Sequence, residues 1–191
     1  MEAYDIAIVG AGPAGSSAAI FLARRGYSVA LIDKKQFPRE KLCGDFVNPA
    51  NWPILRKLGV EKEILLCPHE TVTNFRLTSL SGEQAEVPFL TRHGETVSGL
   101  GLRRCDLDQV LLEKAKGQGV TIRDGFRIKE LTREPEGWRL EIDNSEFVET
   151  FRARLLIGAD GRHSWVAHRL GMVGGAPAQG RSIGFQLRLR A

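Results

Sequence analysis

The sequence DIAIVGAGPAG, residues 5–15, joins a short apolar run to a glycine-rich turn, and it decides the fold. Residues 5–9 are rich in β-branched and other apolar side chains, which predicts a buried strand. Residues 13–25 contain good helix formers and are followed by Gly26, so they predict a helix. Residues 27–33, YSVALID, predict a second buried strand. Together these segments have the length of a βαβ crossover, in which the two strands are parallel.

The turn after the first strand has the pattern GxGxxG, which within a βαβ unit is typical of dinucleotide binding. Gly10 allows the tight turn, Gly12 lets a diphosphate approach the backbone, and Gly15 lets the helix pack closely on the strand. Pro13 and Ala14 begin the helix, whose N-terminus favours phosphate groups. These five residues are therefore predicted to hold the diphosphate of a dinucleotide.

An acidic residue follows at the end of the second predicted strand. Asp33 comes 18 residues after Gly15, where a carboxylate can accept hydrogen bonds from both hydroxyls of an adenosine ribose. It would repel a 2′-phosphate, so NADP is disfavoured there although Lys34 and Lys35 follow; Lys34 is counted among the predicted cofactor-binding residues. The alternatives are a purely structural turn with a surface aspartate, and a Walker A loop. The loop is excluded because Ser16 stands where its phosphate-binding lysine is required.

The composition is that of a soluble globular protein: 191 residues, 42% hydrophobic, 26% charged, with a net charge of +4. The positive excess is small and scattered, so a nucleic-acid partner is not predicted. No run approaches the roughly 18 apolar residues of a membrane helix, and acidic residues replace the basic start of a signal peptide. Three cysteines without a CxxC pair fit a reducing compartment and no zinc pattern, which predicts a cytoplasmic protein without a metal.

The pattern changes after residue 70. Residues 71–80 and 83–89 alternate polar with apolar side chains around a Ser-Gly turn, which predicts an antiparallel hairpin. An ordinary NAD-dependent Rossmann dehydrogenase would continue with further βα repeats, so this alternative is disfavoured.

The other predicted elements are helices at 49–58, 106–116 and 163–170, meander strands at 126–131, 138–142 and 146–151, and a strand at 183–190. The predicted parallel sheet contains strands at 5–9, 28–32, 120–123 and 155–159.

Two further motifs follow in the second half of the chain. The segment RCDLD, residues 104–108, precedes a helix, and IGADG, residues 157–161, follows a buried strand and precedes Ser164. Taken alone, the first is a helix N-terminus and the second is a turn. In this order after GAGPAG, they resemble the FAD-dependent oxidoreductases of the aromatic-hydroxylase fold class. That class includes the group A flavoprotein monooxygenases, the flavin-dependent halogenases and the geranylgeranyl reductases.

The resemblance implies an α/β protein with FAD as cofactor and NAD(P)H as a candidate electron donor. It implies a Rossmann-like FAD-binding domain with a parallel sheet and a β-meander, formed by residues 1–70 and 103–171. Residues 71–102 and 172–191 would begin an antiparallel substrate domain, so the chain is expected to be the N-terminal part of a larger enzyme. Arg104, Asp160 and Gly161 are expected to support the cofactor in such a domain.

The segment FPREKLCGD, residues 37–45, is similar to a P-R-x-K-x-C-G-G stretch of the geranylgeranyl reductase branch, with Asp45 in place of the second glycine. The resemblance implies that Arg39 lies near phosphates and that Cys43 and Gly44 border the flavin ring. An ordinary buried small residue is the open alternative for Cys43. The favoured function is a reductase or dehydrogenase acting on an apolar small molecule. A monooxygenase, a halogenase, and a truncated nucleotide-binding module without turnover are the alternatives, and no catalytic residue or oligomeric state is predicted.

Overall fold

The computed structural model describes residues 1–41 and 45–172. Strands and helices within these ranges are each numbered in chain order. The strands are β1 (Glu2–Val9), β2 (Val29–Asp33), β3 (Phe46–Val47), β4 (His69–Val72), β5 (Asn74–Thr78), β6 (Gln84–Pro88), β7 (Gly99–Leu102), β8 (Thr121–Asp124), β9 (Arg127–Glu134), β10 (Gly137–Asp143) and β11 (Val148–Gly158). The helices are α1 (Pro13–Ala23), α2 (Trp52–Leu58), α3 (Glu61–Leu66), α4 (Arg104–Gly117) and α5 (Trp165–Arg169), and Pro49–Asn51 form a 3-10 turn.

The main sheet has the strand order β8-β2-β1-β11-β10-β9. Its first four strands are parallel, which confirms the predicted parallel sheet. Because successive side chains of a strand point to opposite faces, the sheet separates two apolar layers. On one face, Ile8 and Leu31 pack in the same cluster as buried residues of α1 and α4. On the other face, Ala7 and Ile32 pack with residues of the β9–β10–β11 meander, among them Leu140.

The meander is antiparallel, as predicted, but its last strand differs from the prediction. Residues 146–151 and 155–159 were predicted to be separate strands, whereas one strand, β11, spans Val148–Gly158. It pairs antiparallel with β10 and parallel with β1, so that Ala153 has Trp138 on one side and Tyr4 on the other. The segment between the two predicted strands contains no glycine or proline, and nothing therefore interrupts the alternation.

The segment after residue 70 is antiparallel, in agreement with the sequence. The predicted hairpin exists as the two-stranded sheet β5–β6, whose ten residues are all exposed. The predicted strand 71–80 is divided, because β4 pairs with β7 in a separate β3-β7-β4 sheet. Helix α3 was not predicted, and α5 is shorter than the predicted helix at 163–170. The proposed division into a cofactor domain and a substrate domain stays a prediction.

Candidate functional site

The GAGPAG turn lies at the carboxyl edge of the parallel sheet, between the ends of two neighbouring strands. The Gly10 N–H donates to the carbonyl oxygen of Ile32, and the Ala159 N–H donates to that of Val9, both at 2.7 Å. After β1 the chain continues to β2, which pairs with β1 along one edge, whereas β11 pairs with β1 along its other edge. In open α/β sheets such a reversal of strand order leaves a crevice in which ligands bind.

Two of the three motif glycines are required by the fold itself. Gly10 has a φ of +105°, and a Cβ there would lie 2.3 Å from the carbonyl oxygen of Ala159. A Cβ on Gly15 would lie 1.8 Å from the carbonyl oxygen of Gly10. Both distances are far below van der Waals contact, so helix α1 and the end of β11 could not approach the turn if either residue carried a side chain.

Gly12 is different, because nothing in the folded backbone requires a glycine there. Its φ of −73° and ψ of −175° are extended values that any residue adopts. The nearest atom to an added Cβ is Nη2 of Arg39 at 3.5 Å, the end of a flexible side chain. No side chain among the described residues caps α1 at Gly12. Pro13 and Ala14 follow, with Ala14 exposed, so the helix N-terminus and the space over Gly12 form a cradle for an anion.

Asp33 closes this cradle at the end of β2, and only 8% of the residue is exposed. Its Oδ2 accepts a hydrogen bond from the Ala11 N–H at 2.9 Å, and its Oδ1 accepts one from the Lys35 N–H, also at 2.9 Å. A carboxylate has about four acceptor positions, so further donors can be accepted. The two bonds fix the carboxylate toward the turn, where a ribose would need it. Lys34, in contrast, is exposed, and no contact of its side chain with the residues described in the structure supports the predicted role.

A buried charge network lies beside Asp33. The side chain of Asp108 is completely buried; its Oδ1 is 3.0 Å from Nη2 of Arg104 and its Oδ2 is 3.4 Å from Nη2 of Arg39. The same Nη2 of Arg39 lies 3.6 Å from Oδ2 of Asp33. Burial raises the pKa of the Asp108 carboxyl above its ordinary value, and the two guanidinium groups oppose that rise.

The structure therefore brings together Gly12, Asp33, Arg39 and Arg104, which the sequence had placed in the site. It adds Asp108, which sequence reasoning did not count as a site residue. A signal was present, since Asp108 follows Arg104 at the i,i+4 spacing that brings two side chains together on a helix.

The IGADG motif contacts the GAGPAG turn, but the carboxylate of its Asp160 accepts hydrogen bonds from residues that follow it closely in the sequence. The Cα of Asp160 would lie 2.7 Å from a Cβ on Gly10, so the two motifs are in contact. The carboxylate of Asp160 accepts hydrogen bonds from the Trp165 and Val166 N–H groups and from the Ser164 hydroxyl, and thereby caps α5.

The remaining predicted site residues are less informative. Gly161, with a φ of +85°, faces open space, and its role toward a cofactor stays a prediction, as does that of Asp160. Cys43 and Gly44 lie outside the described residues. In the ranges 1–41 and 45–172, no group of His, Cys, Asp or Glu side chains is suited to a metal ion. The same ranges contain no helix of sufficient length and hydrophobicity to cross a bilayer.

Cys105 lies in the RCDLD motif but is not suited to thiolate chemistry. Burial raises the pKa of its thiol, and the negative charges of Asp106 and Glu40 raise it further. Iodoacetamide is therefore expected to alkylate Cys105 severalfold more slowly in the folded chain than after denaturation, as measured by peptide mass spectrometry at pH 8. Equal rates in the two states would contradict this description of its surroundings.

Comparison with known proteins shows the family to which the chain is similar. A family profile described as "FAD binding domain" matches residues 3–185. The chain is 34% identical to conditioned medium factor receptor 1 of Dictyostelium discoideum, over 89% of this chain and 36% of that protein. It is 32% identical to a menaquinone reductase of Mycobacterium tuberculosis, over 89% of this chain and 40% of that protein.

A solved structure of a mutant flavin-dependent brominase superposes with a TM-score of 0.75 at 25% identity. This match covers 87% of the chain and 41% of the brominase. The chain thus spans 36% to 41% of the length of these three proteins.

Proposed function

The chain belongs to the FAD binding domain family, and from this membership we propose that the whole protein is an FAD-dependent oxidoreductase. The observation that carries the proposal is the cradle at Gly12. The fold tolerates a side chain at this position, so the missing Cβ is explained by a ligand that must approach the backbone. The buried carboxylate of Asp33 and the guanidinium group of Arg39 beside it supply polar partners of the kind that a dinucleotide needs.

The residues present fit FAD. Gly12 and the N-terminus of α1 would hold its diphosphate, and Asp33 would accept hydrogen bonds from its adenosine ribose. Arg39 has a buried Nε with no acceptor among the described residues, so this donor is free to bind an anionic oxygen. Arg104, held by Asp108, would support the cofactor further along the molecule. When bound, FAD would supply hydride or oxygen chemistry, and the chain would supply binding and orientation.

Within this function we favour a reductase or dehydrogenase acting on an apolar small molecule, with NAD(P)H as electron donor. The relative named menaquinone reductase supports the reductase assignment. A group of phenyl rings supports the apolar substrate: Phe46, Phe75 and Phe89 lie with ring centroids 4.6 to 6.1 Å apart, and Phe46 and Phe75 are exposed. Phe46 closely follows the Cys43-Gly44 segment that would border the flavin ring.

A halogenase or monooxygenase is the second candidate, and the structural likeness to a flavin-dependent brominase favours it. A nucleotide-binding module without turnover is the third. Visible spectroscopy separates the first two candidates from the third: bound flavin that NADH or NADPH bleaches anaerobically supports an oxidoreductase, whereas a colourless chain that binds ADP-ribose supports the module. Halide- or oxygen-dependent conversion of substrate by the whole protein would favour the second candidate over the reductase.

Replacing Gly12 with alanine tests the cradle directly. The added methyl group fits the fold but occupies the space that the diphosphate needs, so FAD affinity is expected to fall at least about tenfold without loss of stability. Flavin fluorescence titration and chemical denaturation measure the two quantities. Gly117→Ala, in α4 with no atom within 4 Å of the added Cβ, is the matched control and is expected to leave FAD affinity unchanged. Unaltered FAD binding by Gly12→Ala would contradict the proposed site.

A further inference from the structure

The side chain of Arg39 occupies the part of the site that a nucleotide requires. Its Nη2 is the nearest atom to the position of a Cβ on Gly12, at 3.5 Å, and lies 3.6 Å from the ribose-binding carboxylate of Asp33. The side chain is only 11% exposed, so it lies in the crevice and not in solvent. A ribose hydroxyl approaching Oδ2 of Asp33 would meet this guanidinium group first.

Arg39 is held loosely in this position. Its distances of 3.6 Å to Asp33 and 3.4 Å to Asp108 are longer than the ~2.7–2.9 Å of a well-formed charge-assisted hydrogen bond. Arg104, in comparison, donates to Asp108 at 3.0 Å. The Nε of Arg39 is buried without an acceptor among the described residues, which is an unfavourable state for a charged donor. The ring of Phe37 supports the group from one side, with Cζ of Arg39 4.9 Å from the ring centroid.

We infer that the guanidinium group of Arg39 exchanges one anionic partner, Asp33, for another, the diphosphate of an adenine nucleotide. Binding of the diphosphate is thereby coupled to binding of the ribose. Without nucleotide, the guanidinium neutralises Asp33 and covers the ribose position. A diphosphate over Gly12 offers Nε and Nη2 closer acceptors, so the guanidinium turns from Asp33 to the diphosphate, and Asp33 becomes available to the ribose. Asp108, already satisfied by Arg104, remains beside Arg39 in both arrangements. The inference rests on the proposed nucleotide site, and it assigns Arg39 a role in excluding ligands that lack phosphate.

Binding of adenosine and of ADP to the full chain separates this role from simple support of the fold. In Arg39→Met, which keeps the apolar stem and removes the charge, adenosine is expected to bind about two- to fivefold more tightly because a competing ion pair is gone. ADP is expected to bind at least about tenfold more weakly because a charge-assisted bond to phosphate is lost. Equilibrium dialysis with labelled ligands measures both.

Two further variants complete the experiment. Arg39→Lys keeps the charge and is expected to retain weak adenosine binding and to lose less ADP affinity than the methionine variant. Arg152→Met removes an exposed arginine paired with Glu134 and is expected to change neither affinity. If the affinities for adenosine and ADP fall together in Arg39→Met, or if adenosine binding is unchanged there, the inference is wrong while the nucleotide site stands. If the unaltered chain binds neither ligand, both the inference and the proposed function are wrong.

Discussion

Replacing Asp33 with arginine is expected to abolish FAD retention. The variant loses the proposed acceptor for the ribose hydroxyls and places a positive charge next to Arg39. Hydrogen bonds to a charged acceptor contribute about 1.5–3 kcal/mol each, so two of them correspond to a loss of affinity of at least about 100-fold. Flavin content after purification and the dissociation constant from fluorescence titration measure the effect.

The carboxylate also holds the turn, so loss of affinity must be distinguished from loss of structure. Asp33→Asn keeps an oxygen that can accept from the Ala11 N–H, and it is expected to lose about tenfold in affinity with a smaller change in stability. Asp5→Asn is the control, because the Asp5 carboxylate accepts from the Ser28 N–H at 2.9 Å and the Ser28 hydroxyl at 2.8 Å near the other end of β1 and β2. Unchanged flavin content in Asp33→Arg would remove Asp33 from the site.

Replacing Gly15 with alanine is expected to have the largest effect on stability. A Cβ at this position lies 1.8 Å from the carbonyl oxygen of Gly10, which is backbone and cannot rotate away. The helix must therefore move off the strand, at a cost of about 3 kcal/mol or more in the free energy of unfolding. Urea denaturation, followed by circular dichroism, measures this cost. A larger cost would show as failure of the variant to accumulate in folded form.

Gly117→Ala is the matched control for this substitution as well. Gly117 lies at the end of α4 with no atom within 4 Å of an added Cβ, so alanine there is expected to be neutral or to stabilise by about 0.5–1 kcal/mol. A Gly15→Ala chain as stable as the unaltered protein would show that the tight contact between helix and turn is not required.

The local features of the fold were predictable because short-range patterns determine them. The βαβ unit at residues 2–33 follows from two apolar runs around a glycine turn, and three of the four parallel strands, β1, β2 and β8, were placed to within a few residues. The limits of β11 were not predictable in the same way. Its continuation from the meander into the parallel sheet depends on pairing with β1, which is a long-range contact that no window of the sequence contains.

The site shows the same division. The sequence predicted that Gly12 and Asp33 belong to the proposed site, because their spacing within a βαβ unit is typical of dinucleotide binding. The sequence also assigned different purposes to Gly10, Gly12 and Gly15, and the folded distances agree, because a Cβ meets backbone at Gly10 and Gly15 but only the end of the Arg39 side chain at Gly12. It did not show that Arg39 lies between Asp33 and Asp108, residues that are distant in sequence and meet only in the crevice.

The central position of β1 has a consequence for synthesis of the protein. Its turn is completed by the contact between Gly10 and Ala159, which follows 149 residues later. At about 5–20 residues per second, a translating ribosome needs roughly 7 to 30 s between the two. During that interval the nascent chain presents one unpaired edge of β1, a surface prone to association with other chains. Capture of the dinucleotide is therefore expected to begin only after most of this chain has left the exit tunnel.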